Sequence, residues 1–385
     1  MKYWTALLLA LLLNACATPP EVQRPGHLFH DDLFAASSEP IRAADIFAMS
    51  DDMKRFLQIN ITGRLRAEGH RQALFNALYT KGQLKLDYDA ALTRNASQAF
   101  EARSGNCLAL VIMTAAFAKE IGLPVYYQSA YQDETWSRSG DIYFSNGHVN
   151  LSLGRKREGG DIARRYDPGH LLTIDFLPPD EIAGLRTRNV DEQTIIAMYM
   201  NNRAAESLAG GKLNDAYWWA REAITQDPGF LSSYNTLGVI YRRHQDLRAA
   251  EQAFKHVLER QSENTVVMSN LGQVLNAQGR GGDAALLAAK LKQLQPDPPF
   301  HFFNLGLSAM RAGDINAARD LFAKEVARAP YNHEFQFWLA LAYLRLGSVE
   351  EARKHLALAL ENSTTRGERD LYAAKLEKLK RTGGR

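Results

Sequence analysis

Apolar residues along this chain change their spacing three times, and each change marks a boundary. A short apolar run, Thr5 to Leu13, follows the positive start Met1-Lys2-Tyr3-Trp4 and ends at Asn14-Ala15-Cys16. Residues 17–40 are rich in Pro, Ser and Asp, with Pro19-Pro20 and Pro25-Gly26, a composition that predicts a linker. From Ile41 to Phe100 the apolar positions recur at helical spacing. Ser50-Asp51-Asp52 caps a helix that puts Met53, Phe56, Leu57 and Ile61 on one face. Leu74, Leu78 and Tyr79 belong to a second helix, closed by Gly82. A third and more apolar helix is expected from Cys107, through Leu110, Val111, Thr114, Ala115, Phe117 and Ala118, until Gly122 and Pro124 stop it.

After Pro124 the period drops to two. Val125 to Tyr131 reads as a strand, a polar loop with Trp136 and Gly140 follows, and Ile142-Tyr143-Phe144 begins another. Asn146-Gly147 is a turn pair, so His148 starts the alternating strand His148 to Leu153. Tyr166-Asp167-Pro168-Gly169 is a turn signature, and Leu171 to Phe176 is a strand with Asp175 near its end.

From Met198 the pattern is helical throughout and repeats every 34 residues. Alanines recur at Ala216, Ala250, Ala284, Ala318 and Ala352, and Leu-Gly pairs at Leu237-Gly238, Leu271-Gly272 and Leu305-Gly306. Tyr241, Phe254 and Phe322 fill the large positions, and Pro228, Pro296 and Pro330 end units. This period and pattern resemble the tetratricopeptide repeat, with five copies over 197–365, the first degenerate and the third carrying Ala288 for an aromatic. The resemblance implies stacked helix pairs and a surface that binds a protein or peptide. Residues 366–385 read as a capping helix and tail, with Leu371, Leu376 and Leu379 inward, and Tyr217, Trp218 and Trp219 are placed at the joint between domains.

Composition narrows the picture. In 385 residues, 46% are hydrophobic and the net charge is +3, so two or three packed domains fit and no basic field points to nucleic acid. No apolar run is long enough to span a bilayer. The chain has two cysteines, which excludes a disulfide-built fold. The positive start, short apolar run and small residue before Cys16 make a secretory signal over 1–16. Leu13-Asn14-Ala15-Cys16 also resembles a bacterial lipobox, which implies lipidation at Cys16 and a periplasm-facing protein held at a membrane. Ala17 favours the outer membrane of the cell envelope. Cys107 then has no disulfide partner.

A cysteine in the first turn of a buried helix meets unpaired N–H groups and the positive end of the helix dipole, which favour the thiolate nucleophile. Histidine beside it can take and return a proton, and a carboxylate on the far ring nitrogen fixes the tautomer. Gly105-Asn106-Cys107, the helix ending in Gly-Leu-Pro, and Gly147-His148-Val149 together resemble the transglutaminase-like, papain-related cysteine hydrolases over residues 45–180. That resemblance implies an α+β domain over 41–190 ahead of the all-α repeat solenoid. It assigns Cys107 as nucleophile, His148 as general base and acid, and an aspartate that orients His148. Asp175 is favoured, because its strand can pair with the histidine strand; Asp167, in the turn, is the rival. Leu108 after the cysteine and Asn150 two after the histidine depart from the aromatics common there. The expected activity is hydrolysis or acyl transfer on protein or peptide amides, with no cofactor and no metal. The alternative is a non-catalytic adaptor that works through its repeats.

Overall fold

The computed structural model describes residues 26–79, 84, 86–131, 136–139, 142–145, 148–155, 171–176 and 186–382. The signal-like run, Cys16, Gly82, the Asn146-Gly147 pair and the Asp167 turn lie outside the described residues. Among the described residues no helix is long and apolar enough to cross a membrane.

The first body combines short helices with a small sheet. Helices α1 (Asp51–Phe56), α2 (Leu65–Glu68), α3 (His70–Tyr79) and α4 (Ala96–Ala102) precede α5 (Cys107–Glu120). Ser50 caps α1 as expected, accepting from Met53 N–H. In α5 every residue from Leu108 to Ala118 is buried. It is apolar all round rather than amphipathic, and such a helix is stable only inside a core. Strands β1 (Asp87–Tyr88) and β2 (Ser104–Gly105) form a short parallel pair just ahead of α5.

One face of α5 packs on strand β6 (His148–Leu153). With β3 (Val125–Tyr131), β7 (Leu172–Ile174) and β8 (Arg186–Val190) it makes an antiparallel sheet in the order β7-β6-β3-β8. β6 is buried along its whole length. The sequence gives little sign of β8, which has no apolar alternation and pairs through its backbone at the edge against β3. Trp136 lies in a strand rather than a loop: β4 (Trp136–Ser139) pairs with β5 (Ile142–Ser145) in a hairpin of their own.

Five helix pairs follow, α6 (Glu192–Ala209) with α7 (Leu213–Gln226), α8 (Ser232–Arg243) with α9 (Leu247–Leu258), α10 (Thr265–Ala277) with α11 (Gly281–Leu294), α12 (His301–Ala312) with α13 (Ile315–Arg328), and α14 (His333–Arg345) with α15 (Val349–Glu361), and then a single helix α16 (Arg366–Thr382). Ala216, Ala250, Ala284, Ala318 and Ala352 are all buried. Small residues let the paired helices approach closely: a Cβ on Gly238 would stand 2.5 Å from the Phe254 ring, and one on Gly306 2.6 Å from Phe322. Gly272 has no such neighbour, because its partner position is Ala288. The consequence is visible in α11, where Ala284 alone is buried and Leu286 is 74% exposed. The core that runs from the first body ends at Ala284, and a second core begins at Phe300.

Two details differ from the sequence reading. Leu371 faces outward, 46% exposed, while Tyr372 turns in. The Tyr372 hydroxyl lies 3.0 Å from His333 Nδ1 and its ring packs on Phe337, so Tyr372 takes the inward place expected of Leu371, while Leu376 and Leu379 are partly buried. The stretch read as linker is not a free tether from Gly26 onward. Leu28 and Phe34 are buried, and Phe34 stacks on Tyr217 at 3.9 Å. Asp31 accepts from the Tyr217 hydroxyl and from Arg221, Trp218 Nε1 donates to the Ala35 carbonyl, and Ser38 donates twice to Asp215. Residues 28–39 are therefore strapped to the first two helix pairs. At the far end, the Ala90 N–H of the first body donates to the Thr364 carbonyl, ahead of α16, at 2.8 Å.

Candidate active site

The site is built where α5 begins. Asn106 caps α5, its Oδ1 accepting from Ala109 N–H at 2.9 Å, and Cys107 is the first helical residue. Gly105 lies in β2 with its carbonyl accepting from Asp89 N–H. It must lack a side chain because a Cβ there would stand 2.8 Å from Ala109 Cβ. Cys107 is half-buried, and it is free.

Strand pairing sets the other two groups. Leu151 faces Ile174, Ser152 faces Thr173 and Leu153 faces Leu172. One step further along this antiparallel register lies Asp175 beside Asn150, and His148 is two residues from Asn150, so both point to the same face. The result is that Asp175 Oδ1 accepts from His148 Nε2 at 2.7 Å, and Asp175 Oδ2 accepts from Asn150 Nδ2 at 2.8 Å. The next residue, Phe176, anchors the segment against the Tyr79 ring. Tyr79 is itself hydrogen-bonded to Thr114 of α5.

The Cys107 side chain also acts on the His148 ring and favours its protonated form. Burial opposes the charged ring, but the interactions with Asp175 and Cys107 outweigh it, and His148 is pushed up to about 9. At neutral pH the ring is therefore protonated, and it stands between Asp175 and Cys107.

The structure thus brings Cys107, His148 and Asp175 together. Cys16 and Asp167 lie outside the described residues. Sequence reasoning noted Asn150 only as a departure from an expected aromatic; its hydrogen bond to Asp175 was missed. The alternation of β6 carries that signal, since positions 148 and 150 share a face. Among the described residues no cluster of His, Cys, Asp and Glu is arranged to hold a metal.

A family profile for the tetratricopeptide repeat matches residues 235–299 and 303–366. These helices are tetratricopeptide repeats. The match begins within α8, so the first helix pair stands outside it. A TPR repeat-containing protein of Pseudomonas aeruginosa is 27% identical in a 209-residue alignment that covers 48% of this chain and 35% of that protein. Human tetratricopeptide repeat protein 7A is 32% identical over 106 residues, 27% of this chain and 12% of the relative. The type IV pilus assembly protein PilF of P. aeruginosa is 28% identical over 108 residues, 28% of this chain and 43% of the relative. The chain spans less than half the length of each of these relatives. Among solved structures, a thermophilic TPR protein of Thermus thermophilus aligns at 18% identity over 47% of this chain and 98% of its own, with a TM-score of 0.30. A TPR protein with an unusual peptide-binding site aligns at 20% identity over 47% and 92%, with a TM-score of 0.25. Tetratricopeptide repeats generally bind proteins or peptides.

Proposed function

We propose that the first body is a papain- or transglutaminase-like cysteine hydrolase or acyl transferase acting on protein or peptide amides, and that the repeats recruit its substrate or partner. The observation that carries this reading is the His148 ring held between Asp175 and Cys107. In the proposed reaction the Cys107 thiolate attacks the amide carbonyl carbon, and the negative charge moves to its oxygen. The Cys107 N–H at the start of α5 can donate to that oxyanion. His148 gives its proton to the leaving nitrogen as the C–N bond breaks, which leaves a thioester on Cys107 and a neutral amine. Water or a second amine, deprotonated by His148, then takes the acyl group and restores the thiol pair. Asp175 keeps the ring oriented and its proton on the correct side.

The lipobox-like Leu13-Asn14-Ala15-Cys16 supports a lipid anchor at Cys16. The enzyme would then face the periplasm from the outer membrane.

An electrophilic thiol probe at neutral pH tests the activity. The expected result is rapid labelling that is abolished in Cys107→Ala and strongly slowed in His148→Ala. Equal labelling rates for wild type and His148→Ala would sink it. A second reading, an adaptor without catalysis, is favoured by the repeat relatives, one of which is a pilus assembly protein. It predicts that Cys107→Ala retains the whole biological effect of the protein, while a catalytic protein loses it.

A further inference from the structure

The first repeat helix reaches the residue next to Cys107 through a single buried hydroxyl. Thr93, 2% exposed, lies in the loop between β1 and α4. Its Oγ1 accepts from Asn106 Nδ2 at 2.9 Å and from Asn202 Nδ2 of α6 at 3.2 Å. Its backbone N–H donates to Glu206 Oε1, also of α6, at 2.7 Å. A hydroxyl has two lone pairs, and here each accepts from an amide.

The network has one direction. Two side-chain amides donate to the Thr93 hydroxyl, so its lone pairs face Asn106 and Asn202. Asn106 must therefore present Nδ2 to Thr93, which aims its Oδ1 at Ala109 N–H, the cap of the Cys107 helix. Glu206 is fixed in turn by Arg203 at 2.8 Å, and Arg203 also donates to Glu39, the acceptor of Trp219 Nε1. Loss of the Thr93 hydroxyl removes one of the two hydrogen bonds that hold Asn106 in its cap rotamer.

We infer that Thr93, Asn202 and Glu206 are positioning residues for Cys107, so that helix α6 of the repeat region is part of the active site's framework and not only a recruiting module. They touch no substrate; they act through Asn106 on where the sulfur and the first N–H groups of α5 stand. This inference rests on the reading of Cys107 as a nucleophile paired with His148. A displacement of about 1 Å in such a pair can cost about 10²-fold in rate.

The test uses the full chain with Cys16→Ala, so that Cys107 is its single thiol. The second-order rate of iodoacetamide alkylation at pH 7 is measured for this parent and for His148→Ala, Thr93→Val, Thr93→Ser and Asn202→Ala, with the repeat unfolding midpoint followed by circular dichroism. Thr93→Val and Asn202→Ala are expected to react roughly tenfold more slowly than the parent with a native helical spectrum, and Thr93→Ser, which keeps the hydroxyl, to restore the rate. Asn202 is half-buried on α6, so Asn202→Ala decides the matter where Thr93→Val does not fold. Parent-like rates in the folded variants, with His148→Ala slow, overturn this inference alone. Equal rates for parent and His148→Ala overturn the nucleophile reading and this inference with it.

Discussion

Asp175 approaches His148 to 2.7 Å although 27 residues separate them, and it does so because Leu172–Ile174 pairs with Leu151–Leu153 in the one register that aligns their faces. Slipping the pairing by one residue would turn Asp175 to the other side of the sheet. Asp175→Asn keeps the shape and the Asn150 contact but removes the charge that orients the protonated ring. Acylation is expected to slow by about 10²-fold or more, read as the burst rate with a model amide, with the fold intact. Asp167→Asn is expected to act on stability and leave that rate within about twofold.

Asn150 fixes the second oxygen of Asp175. Asn150→Ala removes this hydrogen bond from the carboxylate that orients His148. The expected loss is roughly tenfold in kcat with KM unchanged, and the pH at which His148 titrates, followed by its ring-proton NMR signal, should fall from about 9.

The raised His148 also makes a stability prediction. Its usual value is 6.5 and its folded value is about 9, so the folded state binds the proton more tightly. That contribution is complete below about pH 6.5 and is lost as pH rises through about 9. Denaturant unfolding at pH 7 and pH 9.5 should show a drop of up to about 3 kcal/mol from this group. His148→Gln should flatten the slope between those pH values.

The repeats offer a matched pair of glycines. Gly238→Ala drives a methyl into the Phe254 ring and should cost about 1–3 kcal/mol. Gly272→Ala meets nothing and gains helix propensity, so it should be neutral or stabilising by up to about 1 kcal/mol. Ala284 is buried even in the loosest pair, and Ala284→Phe is expected to lower the midpoint of the C-terminal half. Thermal melts of the three variants check all of this.

Membrane fractionation tests the anchor. Wild type is expected in the membrane fraction and Cys16→Ala in the soluble periplasmic fraction. Recovery of both in the membrane fraction would exclude lipidation at Cys16 as the tether.

Period carried the parts of this fold that the sequence made legible. The two-residue alternation of His148 to Leu153 and of Leu171 to Ile174 gives both strands, and the 34-residue recurrence gives the helix pairs. Ala288 in place of an aromatic already marked the pair whose outer helix is left exposed. The strap over 28–39 was not legible, because its two buried anchors, Leu28 and Phe34, are too far apart in a polar stretch to show a period. Thr93 was missed for a related reason. Its partners come from three separate segments, and a hydrogen bond between irregular positions leaves no mark on spacing.

The clasp between Ala90 and Thr364 changes what the repeats can do mechanically. The array is pinned at both ends to one body, at α6 by the Thr93 network and ahead of α16 by this clasp. Between the pins lies one soft joint, the break between the two cores near Pro296 to Phe300. A load applied to a structure held at both ends is taken up where it is most compliant. A partner that bends the array should therefore strain that joint first, leaving the geometry around Cys107 unloaded until the clasp gives way.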